Sequence, residues 1–159
     1  YGICQRFTAL HHAILSNEED VVNILLKEEV FVDIVCKSSR NTPLHTAVIT
    51  AIVNQLLDNG AKINAVNNKH ESALCSVAHN NNKEILDILL ARGADVNAGG
   101  GKPLAAAVST GHRFIVEALL KSKDLNIHIN VDGLTFLHMA AASGYWHIGR
   151  ALIKKGAEK

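Results

Sequence analysis

The chain has 159 residues, 48% of them apolar and only 4% aromatic, with a formal net charge of +1. This apolar content can bury a continuous core, nothing in the composition suggests disorder, and abundant Ala and Leu suit packed helices better than a β-sandwich. The balanced charge, with no Lys/Arg block, excludes a broad surface for nucleic acid or anionic lipid, and no apolar run approaches the roughly 18–20 residues that cross a bilayer.

One short text recurs along the chain. It begins at Thr8-Ala9-Leu10-His11, Thr42-Pro43-Leu44-His45, Ser72-Ala73-Leu74-Cys75, Lys102-Pro103-Leu104-Ala105 and Thr135-Phe136-Leu137-His138, with starts 34, 30, 30 and 33 residues apart. A period of about 33 residues signals a stacked array of helix pairs.

In chain order, the first copy leads into Glu28-Glu29-Val30-Phe31-Val32-Asp33, a junction one residue longer than the others. The second opens with Pro43 at the first helical position, where its missing N–H costs nothing. It is three residues short, running from Ala47-Val48-Ile49-Thr50 straight into Ala51-Ile52-Val53 with no Gly-containing turn. Two antiparallel helices need a connection of about two residues or more. Either this pair is distorted or three residues are missing from the sequence, and the retained apolar register favours omission. The third copy carries Leu74 and Ala78, a turn at Asn80-Asn81-Asn82 with Asn81 suited to a left-handed cap, then Ile85, Ile88, Leu89 and Leu90. Ahead of the fourth, the junction Asn97-Ala98-Gly99-Gly100-Gly101-Lys102 is again three short: a truncated, mobile finger, or one with an omitted tip. The fourth ends in Lys121-Ser122-Lys123-Asp124-Leu125-Asn126-Ile127-His128, of preserved length. In the fifth, Thr135 suits an N-cap, Leu137, Ala140 and Ala141 recur at helical spacing, and Gly144 suits a C-cap. Ile148, Ala151, Leu152 and Ile153 then make a second stripe, stopped by Gly156-Ala157.

The junctions Gly60-Ala61-Lys62-Ile63-Asn64-Ala65 and Gly93-Ala94-Asp95-Val96-Asn97-Ala98, with the Leu-His/Ala blocks, resemble the ankyrin-repeat family from about Phe7 to Lys159. The resemblance implies an all-α chain, an ankyrin-repeat solenoid of about five stacked helix-turn-helix repeats with β-turn finger loops. Residues 1–159 would form a single ankyrin-repeat domain, with repeats at approximately 3–35, 36–66, 67–98, 99–129 and 130–159. It would be a fragment of a longer chain: the text starts at Tyr1, and its last helix lacks the polar face of a capping repeat. Inner helices and fingers would line a concave face, with the longer outer helices on the convex one.

Residues with chemical potential read mostly as scaffold. His11, His45 and His138 share one motif position, and the resemblance implies that each bridges backbone groups of adjacent fingers. Cys75 and Ala105 replace that histidine, so their junctions should lack the bridge. His70, His79, His112 and His147 are expected in solvent, and no metal site is expected, since neighbouring His11-His12 diverge and lack a third ligand. Cys4, Cys36 and Cys75 form neither a disulfide framework nor a Cys-x-x-Cys pair, which favours a reducing, intracellular compartment, cytoplasmic or nuclear, without excluding secretion. Gly99-Gly100-Gly101-Lys102 lacks phosphate-loop spacing, and no nucleophile constellation appears, so no catalysis, cofactor or small-molecule substrate is expected. Tyr145-Trp146 can pack over its helix pair or anchor a partner. Dispersed rings promise no aromatic cage. By its resemblance to hydroxylated hairpins Asn97 is a candidate hydroxylation site, although an asparagine there commonly just ties the turn.

On the family plan the concave face includes Gln5, Phe7, Ser39, Asn41, Asn68, Lys69, Glu71, His79, Asn80, Ser109, Thr110, Asp132, Leu134 and Ser143. Those from Ser39 onward, with Tyr145 and Trp146, are the expected contacts for a protein or peptide partner. The surface is mostly neutral-polar with mixed charge, which suits a protein rather than a polyanion. The expected function is a protein–protein interaction module. The alternatives are a regulatory or targeting segment of a larger enzyme, channel or toxin polypeptide, and a structural spacer.

Overall fold

A computed structural model describes residues 8–28 and 31–157. Cys4, Gln5, Phe7, Glu29 and Val30 lie outside the described residues. Helices succeed one another in pairs: α1 (Ala9–Leu15) and α2 (Glu19–Lys27), α3 (Pro43–Thr46) and α4 (Thr50–Asp58), α5 (Ala73–His79) and α6 (Lys83–Ala91), α7 (Ala98–Thr110) and α8 (Arg113–Leu120). A two-residue-per-strand antiparallel hairpin, β1 (Asn130–Val131) and β2 (Leu134–Thr135), precedes the last pair, α9 (Phe136–Ala142) and α10 (Trp146–Lys155). The odd-numbered helices pack α1 on α3 on α5 on α7 on α9, and the even-numbered ones likewise from α2 to α10, which makes two parallel layers of a solenoid.

Local chemistry starts each pair. Thr8 and Thr135 accept from the backbone N–H of His11 and His138. Thr42 and His45 form a reciprocal capping box behind Pro43. Each outer helix then buries an i, i+4 apolar pair: Val22 with Leu26, Ile52 with Leu56, Ile85 with Leu89, Ile115 with Leu119 and Ile148 with Leu152. On the inner layer the motif leucines Leu10, Leu44, Leu74 and Leu104 are 0–3% exposed. Leu137 at the same position is only half-buried, because no described helix packs on the far side of α9.

The turns between paired helices use one device. Asn17 and Asn81 (both φ 58°), Gly111 (φ 77°) and Gly144 (φ 73°) all take the left-handed conformation at the same place. The second pair has no such residue. It closes with the residues present by shrinking α3 to four residues and running Ala47 to Ile49 in extended conformation (ψ 124° and 132° at the two ends). The distorted alternative is therefore geometrically feasible. The short junction before Lys102 becomes a left-handed turn, with φ of 62°, 74° and 87° at Gly99, Gly100 and Gly101. It packs closely, because a Cβ on Gly99 would lie 1.9 Å from the His70 carbonyl oxygen and one on Gly101 would lie 3.0 Å from the Phe136 ring. The residues present at that junction thus form a built turn.

Candidate partner-binding face

Three sets of hydrogen bonds hold successive repeats in register and so shape the face. The first is the motif histidine. Its Nδ1 faces the preceding threonine hydroxyl, 3.0 Å at Thr8–His11 and 2.8 Å at Thr42–His45. In the second copy Nδ1 also accepts from the Thr42 N–H, which leaves the proton on Nε2 to donate to the Glu71 carbonyl at 2.9 Å. His11 Nε2 meets the Asn41 carbonyl at 3.2 Å. Burial lowers the pKa of both rings, offset in part by these carbonyls and, at His45, by the Glu71 charge. His138 departs from the expectation: it pairs with Thr135 Oγ1 but bridges no second finger among the described residues. His112, partly exposed at its turn, also joins neighbouring repeats, its Nε2 donating to the His79 carbonyl at 2.9 Å.

The second set zips finger to finger. Asn68 donates through its backbone N–H to the Ser39 carbonyl (2.9 Å) and through Nδ2 to the Ser38 carbonyl (2.8 Å), while Asn67 Nδ2 reaches Asn41 Oδ1 (2.9 Å). The third runs along the other end of the repeats. Asp33, Asn64 and Asn97 each accept from a backbone N–H about one repeat on, at Lys62 (2.9 Å), Asp95 (2.8 Å) and Asn126 (2.8 Å). Asn97 also donates to the Asp124 carbonyl at 2.7 Å, so both ends of the amide proposed for hydroxylation are engaged in this ladder.

Upon this frame the expected contact residues separate into groups. Lys69, Glu71, His79 and Asn80 line one groove of about 370 Å³, closed by His45, Cys75, Ser76 and Ala106. Lys69 and Glu71 stand on the finger between the second and third pairs, held by Asn67 Oδ1, which accepts from both their N–H groups at 2.8 and 3.0 Å. Glu71 also accepts from Asn67 Nδ2 through its carboxylate (3.0 Å), and the Lys69 carbonyl is capped by Lys102 Nζ. The Cys75 thiol has its pKa pushed up to about 11, by burial first and then by the Glu71 charge, so it stays a neutral floor to the groove. Sequence reasoning missed Cys75 as lining, together with Ser76 and Ala106. These last two follow the motif His/Cys/Ala position in successive copies, a periodicity that marks the inward-facing step of the helix.

The other expected contacts are distributed elsewhere. Asn41 and Asn68 are engaged in finger-to-finger bonds, and the Ser39 hydroxyl accepts from the Asn41 N–H within its own finger. Ser109 and Thr110 bond back to the Ala106 carbonyl at 3.2 and 2.6 Å at the end of α7. Asp132 (φ 52°) and Leu134 (47% exposed) sit on the β1–β2 hairpin, and Ser143 is the C-cap of α9. Tyr145 lies over Gly111 of the preceding turn, where a Cβ would come within 2.6 Å of its ring, while Trp146 stays 63% exposed against His147. Among the described residues no three or more His, Cys, Asp or Glu side chains gather as metal ligands, and no helix is long and apolar enough to cross a membrane.

A family sequence profile described as ankyrin repeats (3 copies) matches residues 2–67, 49–130 and 74–159. No curated protein matches the chain.

Proposed function

Because the chain belongs to the ankyrin-repeat family, whose repeats generally serve as protein-interaction modules, we propose that it binds an extended protein or peptide segment along its concave face. The groove bounded by Lys69, Glu71, His79 and Asn80 is the centre of that site, and catalysis is not part of its role. One observation carries this reading: four residues placed on the face from separate sequence positions, on a finger and at the C-terminal end of α5, converge on one cavity. Its walls offer one cation, one anion and several neutral hydrogen-bonding groups, which suits a mixed polypeptide better than a phosphate backbone. Cys36 and Cys75 are both free thiols, which suits a reducing compartment, the cytoplasm or nucleus.

The test is a selection of random displayed peptides on the chain, followed by calorimetric titration of the winners. Lys69→Ala with His79→Ala, both exposed positions, should weaken binding by about tenfold or more without changing the melting temperature. Unchanged affinity in that double variant would place the site elsewhere. A second reading, a regulatory segment docked within a larger polypeptide, draws on the exposed apolar end surface of Leu137, Trp146 and Ile153.

A further inference from the structure

Along one rim of the solenoid each helix pair contributes a turn, and neighbouring turns touch. Tyr145 covers Gly111, and His112 reaches back to the His79 carbonyl. The second pair breaks this row. Where the others have a left-handed turn residue, it has only the extended link Ala47 to Ile49. A notch of about 330 Å³ opens there, reaching from Leu15 at the end of α1 to Asn80 and Asn82 at the turn between α5 and α6.

Its walls are aliphatic: Leu15, Ala47, Val48, Val77 and Ile85. Leu15 and Val48 leave 50% and 53% of their surfaces in water, although each stands beside the other inner helices rather than on the convex side. The polar lining, His45, Thr46, Ser76, Asn80 and Asn82, bears no Asp, Glu, Lys or Arg. His45 is the single titratable group, already committed through Nδ1 to Thr42 and through Nε2 to Glu71. A charged side chain entering here would lose its hydration with no counter-charge to replace it. An aliphatic one would bury apolar surface against apolar walls.

The notch is also continuous with the central groove, since His45, Ser76 and Asn80 line both. A strand of peptide crossing the groove can thus place one residue in the notch and the next beside Lys69 and Glu71. Asn80 and Ser76 stand between them as neutral partners for backbone amides.

We infer that the notch is the anchor pocket of the partner segment, taking one uncharged aliphatic side chain in the space where the second repeat lacks its turn. This rests on the reading of the concave face as a peptide site, and it adds what the peptide must carry.

The test uses displayed-peptide selection on the parent chain. Peptides selected on the parent should share one Leu, Ile, Val or Met position. Val48→Asp and Leu15→Asp, both at half-exposed positions and therefore expected to fold with unchanged melting curves, should each weaken a selected peptide about tenfold or more. Replacing the shared aliphatic residue of the peptide by Asn should cost about as much on the parent and little further on Val48→Asp, the signature of a direct pair. If Val48→Asp and Leu15→Asp bind as well as the parent while the Lys69/His79 double variant does not, the notch assignment fails and the concave-face reading stands. If all variants bind alike, or no peptide is enriched over an unrelated protein, both fail.

Discussion

At the residue scale the motif histidine shows how a recurrent side chain can be scaffold and still carry a measurable signature. His45 sits 7% exposed between its own cap and the next finger, and burial holds its pKa below the 6.5 of a free side chain. The unfolded chain therefore takes up protons first as pH falls, so the stabilisation is complete above about 6.5 and declines below it. His11 acts in the same sense. Denaturant midpoints should drop between pH 7.5 and pH 5, and His11→Gln with His45→Gln should flatten that slope; an identical slope in the double variant would contradict the assignment. The third copy supplies the complementary case. Ser72 occupies the N-cap position of α5, but its buried hydroxyl makes no cap bond and finds no partner, and Cys75 stands where the histidine would. Since Cys75 borders the open groove, a ring has room there. Cys75→His should raise unfolding free energy by about 1 kcal/mol as the hydroxyl gains a partner; a loss of stability would show that the ring cannot reach Ser72.

Element by element, the departures from regularity are built rather than loose. The glycine turn at the start of α7 replaces a finger, and its three positions differ in what they tolerate. Gly99→Ala meets the His70 carbonyl oxygen at 1.9 Å in addition to the positive-φ strain, whereas Gly100→Ala points into open space. By the usual cost of the left-handed conformation, Gly100→Ala should lose about 1–2 kcal/mol and Gly99→Ala clearly more. Equal losses in urea titration would mean that the turn does not pack on the finger. The exposed ion pairs Lys83–Asp87, Arg92–Asp58 and Arg113–Glu117 matter less, as such surface pairs contribute about 0–1 kcal/mol each. Helix starts and stops were the most legible elements, since Thr135, Pro43, Asn81 and Gly144 each act through bonds or backbone angles within a few residues. The shape taken by the two short junctions was not legible. A shortened junction is closed by its local backbone, here the extended link from Ala47 to Ile49 and the left-handed turn of Gly99, Gly100 and Gly101 against the His70 carbonyl.

For the whole molecule, stability is a sum of repeat and interface contributions, so a position's worth depends on its neighbours in the stack. Leu104 is fully buried between α5 and α9, and Leu104→Ala should cost about 2–5 kcal/mol. Leu137, identical in motif position, is half-buried, and Leu137→Ala should cost only about 1–2 kcal/mol. Chemical denaturation of the two variants checks this, and equal costs would require a cover over α9 in solution. Periodicity alone determined that helix pairs stack in two layers, because no single pair can bury its own apolar stripe and a repeat near 33 residues has only its neighbours to pack on. Which polar residues meet was decided by the tertiary structure. His45 and Glu71, or Asn97 and Asn126, become neighbours only once the repeats are stacked. The proposed binding face was decided in the same way. Lys69, Glu71, His79 and Asn80 could be placed one by one, but their convergence on a groove comes from the packing of the finger against α5 and α7, and the aliphatic notch beside it borders the link that closes the second pair without a turn.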